Sequence, residues 1–163
     1  MKLKILPKLA LVSLLWFIDV GNIYAKSGLA IPRFASIKSN KVHSRTGPNL
    51  NYPIEWEFIA KGEPVEIVAE FDLWRRIRDK DGEGGWVHKT MLSGKRSVVI
   101  IGSNLRNLYK DKSHNSKIIA KLAPDLRCVL KKAQDKWCQL DCRGQQGWIL
   151  KDEVWGVYFK EEF

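Results

Sequence analysis

The sequence contains no apolar run of about eighteen residues or more, no long run of one charge, and no cysteine before Cys128. The first absence leaves no ordinary membrane-spanning helix. The second leaves no basic arm, although the 163 residues carry a net charge of +10. The third excludes a lipid-anchored amino-terminal cysteine. Methionine (2) and proline (6) are scarce beside seven tryptophans. A chain rich in Trp and turn residues favours β structure over a helical bundle. With 45% apolar residues it can bury a core. Its length suits one ordinary domain or two very small ones.

What is present begins with a leader-like segment. Lys2, Lys4 and Lys8 form a basic start without an acid. Leu9 to Val20 is mostly apolar, and Gly21-Asn22-Ile23-Tyr24-Ala25 ends on a small residue. This order predicts a signal peptide over 1–25, cleavage after Ala25 and a periplasmic product. As a helix the apolar part would span roughly 18 Å, short of a ~30 Å hydrocarbon core. The alternative is a short helix packed on the protein or anchoring it; after cleavage no stable membrane span is expected. Removal of the leader leaves a charge of +8, split as +4 over residues 26–100 and +4 over 101–163. The even split argues against a concentrated nucleic-acid patch and fits mild attraction to anionic surfaces.

The remaining chain repeats itself. Ile59-Ala60-Lys61 recurs as Ile119-Ala120-Lys121 and Pro64 as Pro124. Trp74-Arg75-Arg76-Ile77 matches Trp137-Cys138-Gln139-Leu140. Gly82-Glu83-Gly84-Gly85-Trp86-Val87 matches Gly144-Gln145-Gln146-Gly147-Trp148-Ile149. Two copies are too few for a solenoid, so two small tandem domains are expected, 36–92 and 99–158, linked by Ser93-Gly94-Lys95-Arg96. A link this short implies that the units pack together.

Each unit reads as all-β, with five short strands. In the first, Lys41 to Ser44, Pro64 to Glu70, Trp74 to Arg78 and Trp86 to His88 are strand-like. Val65, Ile67 and Ala69 share a face. A long polar loop runs from Arg45 to Pro53, Asp79 to Gly85 is a turn by composition, and a helical turn is expected only at Lys89 to Leu92. Five strands with one long early loop describe a small, twisted, partly open barrel.

Arg45-Thr46-Gly47-Pro48, Tyr52-Pro53, Lys61-Gly62, Pro64-Val65, Trp74-Arg75-Arg76-Ile77 and Gly85-Trp86-Val87 together resemble the bacterial SH3-like (SH3b) family, in particular its tandem exported alphaproteobacterial type. Gly147-Trp148-Ile149 and Trp155-Gly156-Val157-Tyr158 carry the resemblance into the second unit, where Tyr109 to Asn115 replaces the Gly-Pro loop. The resemblance covers roughly Ile31 to Tyr158. It implies a binding module, often envelope-associated, with cell-wall peptide or protein ligands, and no catalysis.

The residues themselves offer little chemistry. All three His (43, 88, 114) precede Cys128, Cys138 and Cys142, the reverse of a papain-like order. Cys138-x-x-x-Cys142 with Cys128 and His114 matches zinc spacing poorly. No metal, cofactor or catalytic set is expected, and the chain reads as no enzyme. Strand parity places Cys138, Leu140 and Cys142 on one apolar face. Cys138 and Cys142 lie roughly 13 Å apart along a strand, too far to bond. The cysteines are then small core residues. Alternatively a hairpin with a four-residue loop sets Cys128 opposite Cys142, in a bridge that leaves Cys138 free.

Aromatic residues are the stronger candidates. Parity puts Trp74 beside Arg76 and Arg78, opposite Ile77, as a binding Trp does. Tyr52 and Trp56 flank the long loop. Ligand binding is therefore expected at Tyr52, Trp56, Trp74 and Arg76, with Trp137 a weaker counterpart and Trp86 and Trp148 as packing residues. The expected partner is a cell-wall peptide or an envelope protein. A single-stranded nucleic-acid barrel and an undetected envelope hydrolase are the competing readings, and the leader and even charge weigh against nucleic acid.

Overall fold

The structure, a computed structural model, describes residues 27–163. The expected leader at 1–25 lies outside the described residues. Two antiparallel sheets of seven strands follow one another. The first comprises β1 (Arg33–Ile37), β2 (Val42–Arg45), β3 (Ile54–Phe58), β4 (Pro64–Phe71), β5 (Trp74–Arg78), β6 (Gly84–His88) and β7 (Leu92–Ser93). The second comprises β8 (Ser97–Ile100), β9 (Arg106–Tyr109), β10 (Ile118–Leu122), β11 (Arg127–Gln134), β12 (Trp137–Cys142), β13 (Gln145–Leu150) and β14 (Val154–Trp155). The strand orders, β3-β2-β6-β5-β4-β1-β7 and β10-β9-β13-β12-β11-β8-β14, are one path taken twice. The chain is thus all-β, as two tandem barrels. A 3-10 turn at Lys89–Met91 sits where a turn was expected, and Lys151–Glu153 matches it. Among the described residues no helix is long and apolar enough to cross a membrane.

The sheets have seven strands where the sequence predicts five. β1 begins at Arg33, ahead of the expected start at Ser36, and shows no alternation: Phe34 to Ile37 are all buried. Both faces of this strand are covered, so period-two patterning is lost. β3 does alternate, with Ile54, Trp56 and Phe58 between Glu55 and Glu57. The ladders also correct part of the repeat. Ser44 pairs with Trp56 and Leu108 with Ala120, so Trp56 and Ala120 are counterparts. Ile59-Ala60-Lys61 follows β3, whereas Ile119-Ala120-Lys121 lies inside β10. The Trp74/Trp137 match does hold: each opens the second strand of the central hairpin.

Each unit has its own core. Val42, Val65, Ile67, Ile77 and Val87 fill the first. Leu108, Leu130, Ala133, Cys138, Leu140 and Ile149 fill the second. In the central hairpins, one residue bulges at the same place: Val68, between the pairs Ile67–Ile77 and Ala69–Arg76, and Lys131, between Leu130–Leu140 and Lys132–Gln139. The loop between β11 and β12 holds only Asp135 and Lys136. A two-residue loop alone would set Val129 against Cys142. The bulge shifts the pairing by one, and Cys128 bonds Cys142 across 4.6 Å between Cα atoms. Cys138 stays free and buried.

The two units pack along a seam. The Phe34 ring of β1 meets the ring of Trp155 edge-on at 4.9 Å and that of Tyr158 at 4.6 Å. Tyr158 Oη donates to the Glu66 carboxylate at 2.7 Å. Arg127 pairs with Glu63 at 2.7 Å. Arg96, in the link, stacks over Phe34, donates to the Gly156 carbonyl at 2.7 Å and pairs with Glu161. This covering explains why the outward side of β1 is as buried as its inward side.

Candidate functional site

The first unit carries a groove of about 690 Å³ lined by Trp56, Arg76 and Trp86, with Glu55, Glu83 and Thr46 around them. Arg76 and Trp86 are directly paired across β5 and β6, which holds their side chains side by side. Trp56 comes from edge strand β3 and is 44% exposed. The glycine before Trp86 is what lets β6 come close. A Cβ on Gly85, which has φ 140°, would stand 2.7 Å from the Arg45 carbonyl oxygen. Gly147 makes the same approach to the Tyr109 carbonyl, at 2.6 Å. The Gly-Trp pair repeated in the sequence is therefore a device for strand approach.

The groove's charges are open. Arg75 is buried and pairs with Glu70 at 2.9 Å, and Arg78 pairs with Glu66. Arg76, between them, is exposed and has no ion pair among the described residues. Glu55 and Glu83 likewise make no ion pair among the described residues. Their neighbour Glu57 is different. Hydrogen bonds from Lys41 and His43 hold its carboxyl below the ordinary carboxylate range. One guanidinium, two carboxylates and two indoles thus stand ready for a ligand with both charge signs and some apolar surface.

Of the four expected site residues, Trp56 and Arg76 come together here. Trp74 lies off the core face with Arg76 and Arg78, as parity requires, but lines a separate hollow of about 530 Å³ with Leu50, Leu73, His88 and Met91. Its ring meets His88 edge-on at 5.7 Å. Tyr52 is 46% exposed and lies flat on Gly47, where a Cβ would stand 2.5 Å from its ring. Its carbonyl accepts from Arg45 at 2.7 Å, so Tyr52 braces the loop. Trp86, expected to pack, is a groove residue; its pairing with Arg76 was the signal that could have found it.

The second unit is not a second copy of the groove. Trp56 is matched by Ala120, Arg76 by Gln139 and Arg45 by Tyr109, while Trp86 is matched by Trp148. Lys112 lies over Trp148 at 5.5 Å. Trp137 is 4% exposed, packed by Tyr109 at 5.9 Å and by His114 at 5.1 Å, so it is a packing residue. Among the described residues no three His, Cys, Asp or Glu side chains form a group that could hold a metal ion.

The bacterial SH3 domain family model matches residues 38–94 and again 102–156. No curated protein matches the chain. Among solved structures, NlpC2 from Trichomonas vaginalis is 17% identical with a TM-score of 0.37, over 81% of this chain and 51% of that one. NlpC1 from the same organism is 16% identical with a TM-score of 0.36, over 86% and 51%. An NlpC/P60 family protein from Bacillus cereus is 13% identical with a TM-score of 0.34, over 79% and 58%. The chain spans about half the length of these proteins.

Proposed function

Since the chain belongs to the bacterial SH3 domain family, in tandem, we propose that it is a non-catalytic, exported binding protein whose first unit captures a cell-wall peptide. The observation that carries this reading is the groove of Trp56, Arg76 and Trp86 with Glu55 and Glu83. A peptide bearing both free carboxylates and an amine offers a partner to each charge, and its backbone and aliphatic parts can lie against the indoles. Export is supported by the Cys128–Cys142 bond, since such bonds persist in oxidising compartments. The second unit, which lacks the Trp56 and Arg76 counterparts, serves as scaffold for the first.

The test is sedimentation with purified peptidoglycan, together with an NMR titration of soluble cell-wall peptides. Wild-type protein is expected to bind, with shifts at the Trp56 and Trp86 indoles. Trp56→Ala and Arg76→Gln are each expected to weaken binding by roughly tenfold or more, as for residues at the centre of a contact. Trp148→Ala is expected to leave it unchanged. Absence of binding to both materials refutes the cell-wall reading. Capture of an envelope protein through the same two residues would move the function to a protein partner.

A further inference from the structure

The seam between the units gathers positive charge, most of it from the first unit and the link. A cleft of about 500 Å³ there is lined by Lys38, Lys61 and Lys95 from the first unit and the link, and by Ser97 and Val129 from the second. A second cleft, of about 490 Å³, adjoins it through Lys61 and carries Arg127 and Arg143. The acids nearby are already engaged: Glu63 by Arg127 at 2.7 Å, Glu161 by Arg96, and Asp125 by Lys80 at 3.5 Å. Asp125 is the only acid in either lining. Lys38, Lys61, Lys95 and Arg143 are exposed and have no ion pair among the described residues. Four uncompensated cations therefore border two hollows that share Lys61, where low-dielectric walls focus their field.

We propose that this seam binds a small multivalent anion, carrying two or more phosphate or carboxylate groups, held by both units together. Lysines are point charges without the planar fork of arginine, so the site reads charge number and spacing more than the shape of one group. Val129, exposed in the lining of the first cleft, adds apolar contact for the ligand's carbon or bridging atoms. Like charges gathered across a packed seam oppose that packing, so a bound anion stabilises the pair of units and raises their melting temperature. The site is distinct from the groove and does not depend on its reading.

The experiment is calorimetric titration and thermal unfolding of the full chain at low ionic strength, with tripolyphosphate and, separately, citrate as probes. The variant Lys38→Gln/Lys61→Gln/Lys95→Gln is compared with Lys110→Gln/Lys117→Gln/Lys132→Gln, which removes equal charge from exposed positions of the second unit. The seam variant is expected to lose about tenfold or more in affinity, since each exposed charge contributes modestly, and to lose the rise in melting temperature. The control is expected to stay within about twofold, and Trp56→Ala to bind as wild type does. Binding of one probe alone, lost in the seam variant, supports the site and names the group it prefers. No binding of either probe, equal loss in both triple variants, or loss in Trp56→Ala overturns it.

Discussion

Tyr158, near the end of the second unit, donates its hydroxyl to the Glu66 carboxylate of the first, at 2.7 Å, while Arg78 holds the other oxygen of the same carboxylate. A buried charge of the first unit thus depends on a donor from the second. Tyr158→Phe keeps the ring against Phe34 and removes only the donor. It is expected to cost about 1.5–3 kcal/mol, the range for a hydrogen bond to a charged group, read as a lower melting temperature at neutral pH. Burial first, and then the Glu66 hydrogen bond, push the Tyr158 hydroxyl well above its ordinary pKa. The stability this contributes is complete below the unfolded value of about 10 and is lost as pH rises through the folded value. Wild-type protein is expected to lose stability in that alkaline range, and Tyr158→Phe to lose less.

Glu161 contributes to the acid limb. Burial alone would raise its carboxyl, but hydrogen bonds from Arg96 and the Tyr158 backbone, with the charges of Arg96 and Lys151, bring it below the ordinary 4.5. Its contribution is present above that value and disappears as pH falls through the lower, folded one. Urea unfolding between neutral and strongly acidic pH is expected to show wild-type stability falling in that window. Glu161→Gln is expected to be about 1–3 kcal/mol weaker at neutral pH and flatter in acid.

The disulfide and the free thiol give opposite reactivities. The bond closes a loop of 14 residues' separation, for which chain entropy gives about 3 kcal/mol. Cys128→Ser/Cys142→Ser is expected to lower stability by that order in thermal unfolding. Burial pushes the Cys138 thiol up to about 12, so the folded, oxidised protein is expected to show no fast-reacting thiol to a colorimetric reagent. One equivalent is expected after unfolding without reductant.

Two tryptophans separate binding from packing. Trp56→Ala, at an exposed edge, is expected to leave the melting temperature nearly unchanged and weaken peptidoglycan capture. Trp137→Ala, at a buried position against Tyr109 and His114, is expected to cost about 3–5 kcal/mol with capture unaffected in the molecules that stay folded. Melting curves and sedimentation on the same preparations check both.

Much of this was legible where side chains alternate between water and core. Trp74 to Arg78 obeys that rule, with Arg75 and Ile77 buried and Arg76 and Arg78 exposed. β1 was not legible, because Trp155 and Tyr158 cover the side a lone sheet would leave wet. The groove was half legible. Trp56 and Arg76 stand out by type, but only the β5–β6 register adds Trp86; the fold of the long loop holds Tyr52 on Gly47, and Trp74, at the start of β5 opposite His88, lines another hollow. Counting charge by halves missed the seam, since Lys38, Lys61 and Lys95 are far apart in sequence and meet only through packing. Lys131-Lys132, two exposed residues in succession within an alternating strand, marked the bulge in plain letters.

That bulge makes the cysteine pair a chemical reporter of strand phase. A β11–β12 hairpin that formed without the extra residue at Lys131 would bring Val129, and not Cys128, to Cys142. Its side chains would be turned to the wrong face from there onward. That hairpin could not close the Cys128–Cys142 bond. Closure of this bond therefore locks in only those molecules whose hairpin already carries the bulge, and three free thiols in place of Cys138 alone mark the ones that slipped.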